Sequence, residues 1–209
     1  MKRFQFITEA DARVLDEGTS VVLLPGGQIT PLAADTLKAR RVTLVRDSGD
    51  ADALALAPVA DVKRLVIGSD HGGVALKAEL RAWLRGRGLT VHDVGTDSTD
   101  PVDYPDIAAL VGRAVARGEA DAGIVIDGAG LGSAIAANKI RGIRAAMCTT
   151  PTLARYARQH NGANVLALGA TLLTGDEARE VVEVFLTTAM REARYLRRLI
   201  KIRDLEAGQ

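Results

Sequence analysis

An aspartate at the end of an apolar run, then three glycines at alternate positions, then a helix-forming stretch: this is the arrangement in the chain best suited to chemistry. It reads IVIDGAGLGSAIAANK, from Ile124 to Lys139. Gly128, Gly130 and Gly132 allow backbone angles that other residues resist. They also let the main chain approach a ligand, while the N–H groups opening the next helix lack intrahelical acceptors. The layout predicts an anion site. Asp127 stands at the carboxyl end of the expected strand, where open α/β sheets bind ligands. Two plainer roles compete with these. The glycines can serve close helix packing alone, and Asp127 can cap the helix or hold backbone N–H groups.

Other reactive side chains are sparse. The single cysteine, Cys148, excludes an intrachain disulfide and a cysteine-rich zinc site. It ends the apolar run RAAMC and reads as a buried structural thiol rather than a nucleophile. The three histidines, His71, His92 and His160, are dispersed without metal-ligand spacing, so no metal or other cofactor is expected. Near the C-terminus, Arg194 and Arg198 are four residues apart and share one helix face. They belong to a basic stretch, Arg191 to Leu205, interleaved with Tyr195, Leu196, Leu199, Ile200 and Ile202. That pattern suits a helix packed on a partner, or simply a solvated basic face.

The elements that must position these groups follow from periodicity. LVIG, LTVHDVG, GIVI, RAAMC and VLALG read as strands. Helical patterns run near Val74 to Arg87, Asp106 to Arg117, Ser133 to Lys139, Thr152 to His160 and Asp176 to Thr188. Such alternation predicts an α/β fold, a doubly wound parallel sheet with helices on both faces. Before Lys63 the texture changes. VVLLPGGQITPLAADTLKARRVTLVR reads as strand, Pro-Gly turn, helix from Thr30 and Pro31, then strand. Arg46 to Val62 is small, acidic and alanine-rich, a linker composition. The expected division is therefore a β/α extension over 1–46, a linker over 47–62 and a main domain over 63–209.

Composition narrows the functional classes. The 209 residues carry a formal net charge of +1, with 47% hydrophobic and 3% aromatic residues. That is enough for one substantial core and argues against nucleic-acid binding. No apolar run approaches the roughly 20 residues of a membrane span, and the N-terminus is a poor secretory signal, so a cytoplasmic location is expected.

Further motifs occur in order along the chain: GSDHGG at Gly68 to Gly73, DYP at Asp103 to Pro105, GIRAA at Gly142 to Ala146, RQHN at Arg158 to Asn161 and NVLALG at Asn164 to Gly169. With the glycine-rich run they make the chain from about Lys63 to Ile202 resemble the type B ribose-5-phosphate isomerases and the galactose-6-phosphate isomerase subunits. The resemblance implies a Rossmann-like domain, a sugar-phosphate substrate and a metal-independent aldose–ketose isomerisation through an enediolate. It also implies a homodimer or homotetramer with sites between subunits. The segment LLPGGQITPLAADTL weakly resembles N-terminal modules on enzymes of bacterial microcompartments. That implies a role in assembly or localisation.

The resemblance assigns roles residue by residue. Asp127 stands where the family commonly has a cysteine base. A carboxylate is ionised at neutral pH, its reference pKa being near 3.9, so it can serve as base. His160 matches the ring-opening histidine and Asn161 the residue orienting the sugar. Asp70 and His71 match a pair that handles sugar hydroxyls and phosphate, Tyr104 lines the site, and Arg194 and Arg198 match two phosphate-binding arginines. Departures are equally specific. Ala129 replaces an oxyanion-donating hydroxyl, a loss of roughly a hundred- to a thousandfold in rate unless backbone N–H groups or the Ser133 hydroxyl compensate. Ser133 itself stands where some members carry a glutamate base, Thr171 replaces an arginine, and Tyr195 replaces a histidine. The competing expectation is a catalytically weakened sugar-phosphate-binding or structural partner subunit of the same fold.

Overall fold

The computed structural model describes residues 2–46, 56–190 and 192–208. Contacts divide the chain into two units, Met1–Ala57 together with Arg191–Gln209, and Pro58–Met190. This differs from the expected division at both ends of the main domain. Residues 58–62, read as linker, belong to the second unit, where Val62 enters the core. Arg191–Gln209 groups with the N-terminal segment. The part of the expected linker at 47–55 lies outside the described residues.

The first unit is a parallel three-stranded sheet, β1 (Lys2–Ile7), β2 (Ser20–Ile29) and β3 (Thr43–Arg46), in that order. Helices α1 (Glu9–Arg13) and α2 (Pro31–Ala39) make the connections. Thr8 and Asp11 form a reciprocal capping box that starts α1, and Thr30 with Pro31 starts α2 as expected. Strand β1 and helix α1 were not read from periodicity, although the Thr-x-x-Asp spacing of residues 8–11 marks a helix start. The expected Pro-Gly turn is not a chain reversal. β2 runs on through residues 25–27, and a register shift between Phe4 and Phe6 absorbs the irregularity. Ile7, Leu15, Val21, Leu23, Leu37 and Val42 form this unit's own small core.

The second unit contains five parallel strands: β4 (Arg64–Ser69), β5 (Thr90–Asp93), β6 (Ala122–Asp127), β7 (Ala145–Met147) and β8 (Val165–Gly169). Their spatial order is β5-β4-β6-β8-β7. The intervening helices are α3 (Val74–Gly86), α4 (Tyr104–Ala116), α5 (Leu131–Ala137), α6 (Pro151–Asn161) and α7 (Gly175–Thr187). All five expected strands and all five expected helices of this unit are present. Each sheet face has its own apolar layer. Leu65, Ile67, Ile124 and Leu166 contribute to one, Val66, Val125, Val165 and Ala167 to the other. Burial on both faces explains why these strands read as continuous apolar runs.

Strand order sets the functional geography. β4 connects outward to β5, whereas β6 lies on its other side. The chain therefore reverses direction between β4 and β6, which opens a crevice at their carboxyl ends. The last helix, α8 (Ala193–Ala207), packs along β3 of the first unit, with Tyr195, Leu196 and Leu199 buried. Among the described residues no helix is long and apolar enough to cross a membrane.

Candidate active site

The glycine-rich turn is built around Asp127 itself. The buried carboxylate accepts at Oδ1 from the N–H groups of Ala129, at 2.8 Å, and Gly130. At Oδ2 it accepts from the N–H of Ser133 at 2.8 Å. The anion expected at this turn is thus the protein's own side chain. An ionised carboxylate offers about four acceptor positions. Three are taken, which leaves one, on Oδ2.

Two glycines make the turn possible. Gly130 has φ +76°, in the left-handed region, and a Cβ there would lie 2.9 Å from the Leu168 carbonyl carbon. A Cβ on Gly132 would lie 2.5 Å from the Tyr104 ring, so that ring rests on the turn. On the other side, Thr171 at the exit of β8 donates from its N–H, at 3.0 Å, and its hydroxyl, at 2.6 Å, to the Gly128 carbonyl. The position at which the family resemblance expects an arginine therefore braces the turn instead. The Ser133 hydroxyl is fully buried and without a hydrogen-bond partner. Among the described residues the N–H groups of Leu131 and Gly132 also meet no acceptor.

Across the crevice, the Asp70 N–H donates to the Ile126 carbonyl at 3.1 Å, which places Asp70 directly beside Asp127. The buried Asp70 carboxylate accepts from the N–H groups of Gly72 and Gly73 and starts the short 3-10 turn of His71–Gly73. His71 is exposed, and its Nδ1 accepts from the Val102 N–H at 3.3 Å. Val102 leads into Tyr104 at the start of α4. Asp70, His71, Tyr104, Asp127, Gly128, Gly130, Gly132 and Ser133 thus meet at one end of the sheet.

One group of expected site residues lies at the other end of this sheet, and a second belongs to the first unit. α6 begins at the carboxyl end of β7 and runs back to the amino end of β8, so His160 and Asn161 sit at the opposite end of the sheet. Val165, just beyond them, pairs with Gly123 near the start of β6, whereas Asp127 pairs with Gly169. Four strand residues separate the two ends by about 13 Å. Arg194 and Arg198 lie on α8 in the other unit, both exposed, with guanidinium carbons 4.8 Å and 5.7 Å from the Tyr195 ring centroid. Arg194 also donates to the Tyr195 hydroxyl at 2.8 Å and pairs with Glu192 at 2.6 Å.

Buried charges support this frame. Lys77 on α3 is fully buried, and its Nζ reaches Asp93 at 2.9 Å, Asp97 at 2.9 Å and the Thr96 carbonyl at 2.7 Å. It clamps the loop that runs from β5 toward Val102. Arg158, also fully buried, donates to the carbonyls of Ala163 and Val59 and lies over Phe185. Burial, with Arg144 nearby, pushes its guanidinium down to about 10, so it stays charged at neutral pH. Neither burial is legible in sequence, although Arg158 opens the RQHN motif, because a basic residue in a helix reads as solvated.

Cys148 is buried, and desolvation pushes its thiol up to about 11. The native protein should therefore resist alkylation by iodoacetamide at pH 8 and react stoichiometrically once unfolded. Rapid native labelling would overturn the structural assignment of this thiol.

The model of the family described as Ribose/Galactose Isomerase matches residues 65–202. Over 145 residues the chain is 43% identical to ribose-5-phosphate isomerase B of Escherichia coli K12, covering 69% of this chain and 97% of that one. A 4-deoxy-4-sulfo-D-erythrose isomerase from a Clostridium species is 38% identical over 130 residues, 62% of this chain and 82% of that protein. The solved structure of Clostridium thermocellum ribose-5-phosphate isomerase B matches with a TM-score of 0.68 and 47% identity, covering 69% of this chain and 98% of that one.

Proposed function

The chain belongs to the ribose/galactose isomerase family, and from that premise we propose that it interconverts an aldose phosphate and a ketose phosphate, of the ribose 5-phosphate/ribulose 5-phosphate type or a close variant. The observation that carries the reading is the placement of Asp70, bonded through its N–H to the Ile126 carbonyl, beside Asp127 at the reversal point of the sheet, with Tyr104 laid over the turn. The open position on Asp127 Oδ2 takes the proton from the carbon next to the carbonyl. The same oxygen returns it to the neighbouring carbon while the proton of the hydroxyl on the first carbon passes to the former carbonyl oxygen, so the hydroxyl and carbonyl exchange places and no redox partner is required. As the enediolate forms, negative charge grows on the carbonyl oxygen. The donors left on the turn, the Leu131 and Gly132 N–H groups and the Ser133 hydroxyl, stand in for the hydroxyl that Ala129 lacks.

His160 and Asn161 complete a site only if a second copy brings them to the Asp127 end. Their position at the far end of the sheet therefore supports a homodimer or homotetramer with shared sites. His160 opens the sugar ring, and Arg194 and Arg198 hold the phosphate. The double change Arg194→Ala with Arg198→Ala should weaken sugar-phosphate binding by about a hundredfold or more, since two charge-assisted contacts are lost. The melting temperature should move little, because both side chains are exposed. Unchanged affinity by calorimetry would return these arginines to a solvated face. The N-terminal segment, β1 to β3 with α1 and α2, serves in assembly or localisation, with microcompartment association as the partner reading, because it carries none of the residues gathered around Asp127.

One observation favours a second reading, a binding or structural subunit without turnover: the Asp127 carboxylate already satisfies three backbone N–H groups. Solvent-deuterium exchange into a panel of four- to six-carbon sugar phosphates separates the two. Incorporation next to the carbonyl supports the isomerase, and binding without incorporation supports the second reading.

A further inference from the structure

His160 does not stand alone on α6. The ring of Tyr156, one helical turn earlier, stacks on the imidazole with centroids 4.7 Å apart and planes 15° from parallel. The Tyr156 carbonyl accepts from Asn161 Nδ2 at 3.1 Å. Arg155 places its guanidinium carbon 5.5 Å from the centre of the same tyrosine ring. One residue therefore contacts both members of the His160–Asn161 pair, by ring stacking and by main-chain hydrogen bond.

The helix carrying them is anchored. Ala154, Ala157 and Arg158 form its buried side, and Arg158 ties it to Ala163 and Val59. Tyr156, by contrast, is 44% exposed, so its ring is not needed to fill the core. A large aromatic left in solvent costs apolar exposure, and here its ordered contact is with a side chain suited to proton transfer.

Resting on the isomerase reading above, we propose that Tyr156 is a positioning residue: its ring fixes the plane of the His160 imidazole for opening the sugar ring. In that step the anomeric hydroxyl loses its proton and the bond from C1 to the ring oxygen breaks. The electron pair goes to the ring oxygen, which gains a proton, and C1 becomes a carbonyl. The imidazole must lie in line with the ring oxygen. A plane free to rotate would lose much of that alignment.

The test uses the full chain and the two ends of one reaction. An aldopentose 5-phosphate closes into a five-membered ring. The corresponding 2-ketopentose 5-phosphate cannot, because its C5 oxygen carries the phosphate. Tyr156→Leu should lower turnover of the aldose by about tenfold to a hundredfold. Deuterium exchange from solvent into C1 of the ketose, which needs no ring opening, should stay within about twofold. Tyr156→Phe keeps the stacking ring and should restore aldose turnover to near the parent level. Equal losses on both substrates, no loss on either, or failure of Tyr156→Phe to restore would overturn the assignment while leaving the isomerase reading intact. Absence of exchange and turnover in the parent protein would remove the isomerase reading and this assignment with it.

Discussion

Asp127→Asn should reduce solvent-deuterium exchange into a sugar phosphate by about a thousandfold or more, because an amide offers no basic oxygen at the open position of Oδ2. The substitution also carries a structural cost. The amide oxygen can keep the N–H groups of Ala129 and Gly130, but its NH2 would then face the Ser133 N–H, which Oδ2 accepts in the parent. Leaving that buried donor unpaired costs about 1–3 kcal/mol. Exchange, substrate affinity and melting temperature must therefore be measured together. Loss of exchange with affinity kept within about tenfold identifies a base. A destabilised protein that exchanges at the parent rate would show that Asp127 only latches the turn.

Lys77→Met should lower stability by about 3 kcal/mol, the lower end for breaking a buried ion pair, because Arg81 still meets Asp93 at 2.5 Å. The methionine retains most of the apolar stem, so the loss isolates the ammonium contacts. Lys77 holds Asp97 below the ordinary carboxylate value of 3.8, first through its hydrogen bond and then through its charge. A carboxyl depressed in the folded state contributes stability above its unfolded pKa and loses it as the pH falls through the folded one. The gap between parent and Lys77→Met should thus narrow below pH 3.8. Denaturant titrations at pH 7 and pH 3 measure it, and a gap that is small at pH 7 or widens in acid would contradict the clamp. Affinity should fall too, since this loop leads to Val102 and hence to His71.

Local chemistry made much of this protein legible before folding. Residues such as Ile124, Val125 and Ile126 form an apolar run too short for a helix and too continuous for a half-exposed strand, so β6 could be read directly. Gly128 to Gly132 then required a turn, which placed Asp127 at the strand's end. Thr30 with Pro31 likewise marked the start of α2. These are properties of neighbours along the chain, where propensity and periodicity act.

Tertiary structure alone decided the rest. Asp70 lies beside Asp127 because β4 and β6 pair, although 57 residues separate them. The turn's N–H groups point at Asp127 because the buried carboxylate needs donors and the loop is the nearest supply. His160 and Asp127 stand at opposite ends of the sheet because a crossover helix runs antiparallel to its strands. Lys77 and Arg158 carry ordinary helical surface chemistry in sequence. They became buried anchors because the acceptors they meet are assembled by strand order and loop return. The basic C-terminal helix joins the N-terminal sheet for the same reason: an amphipathic face specifies that something apolar will cover it, and the three-dimensional chain path chooses what.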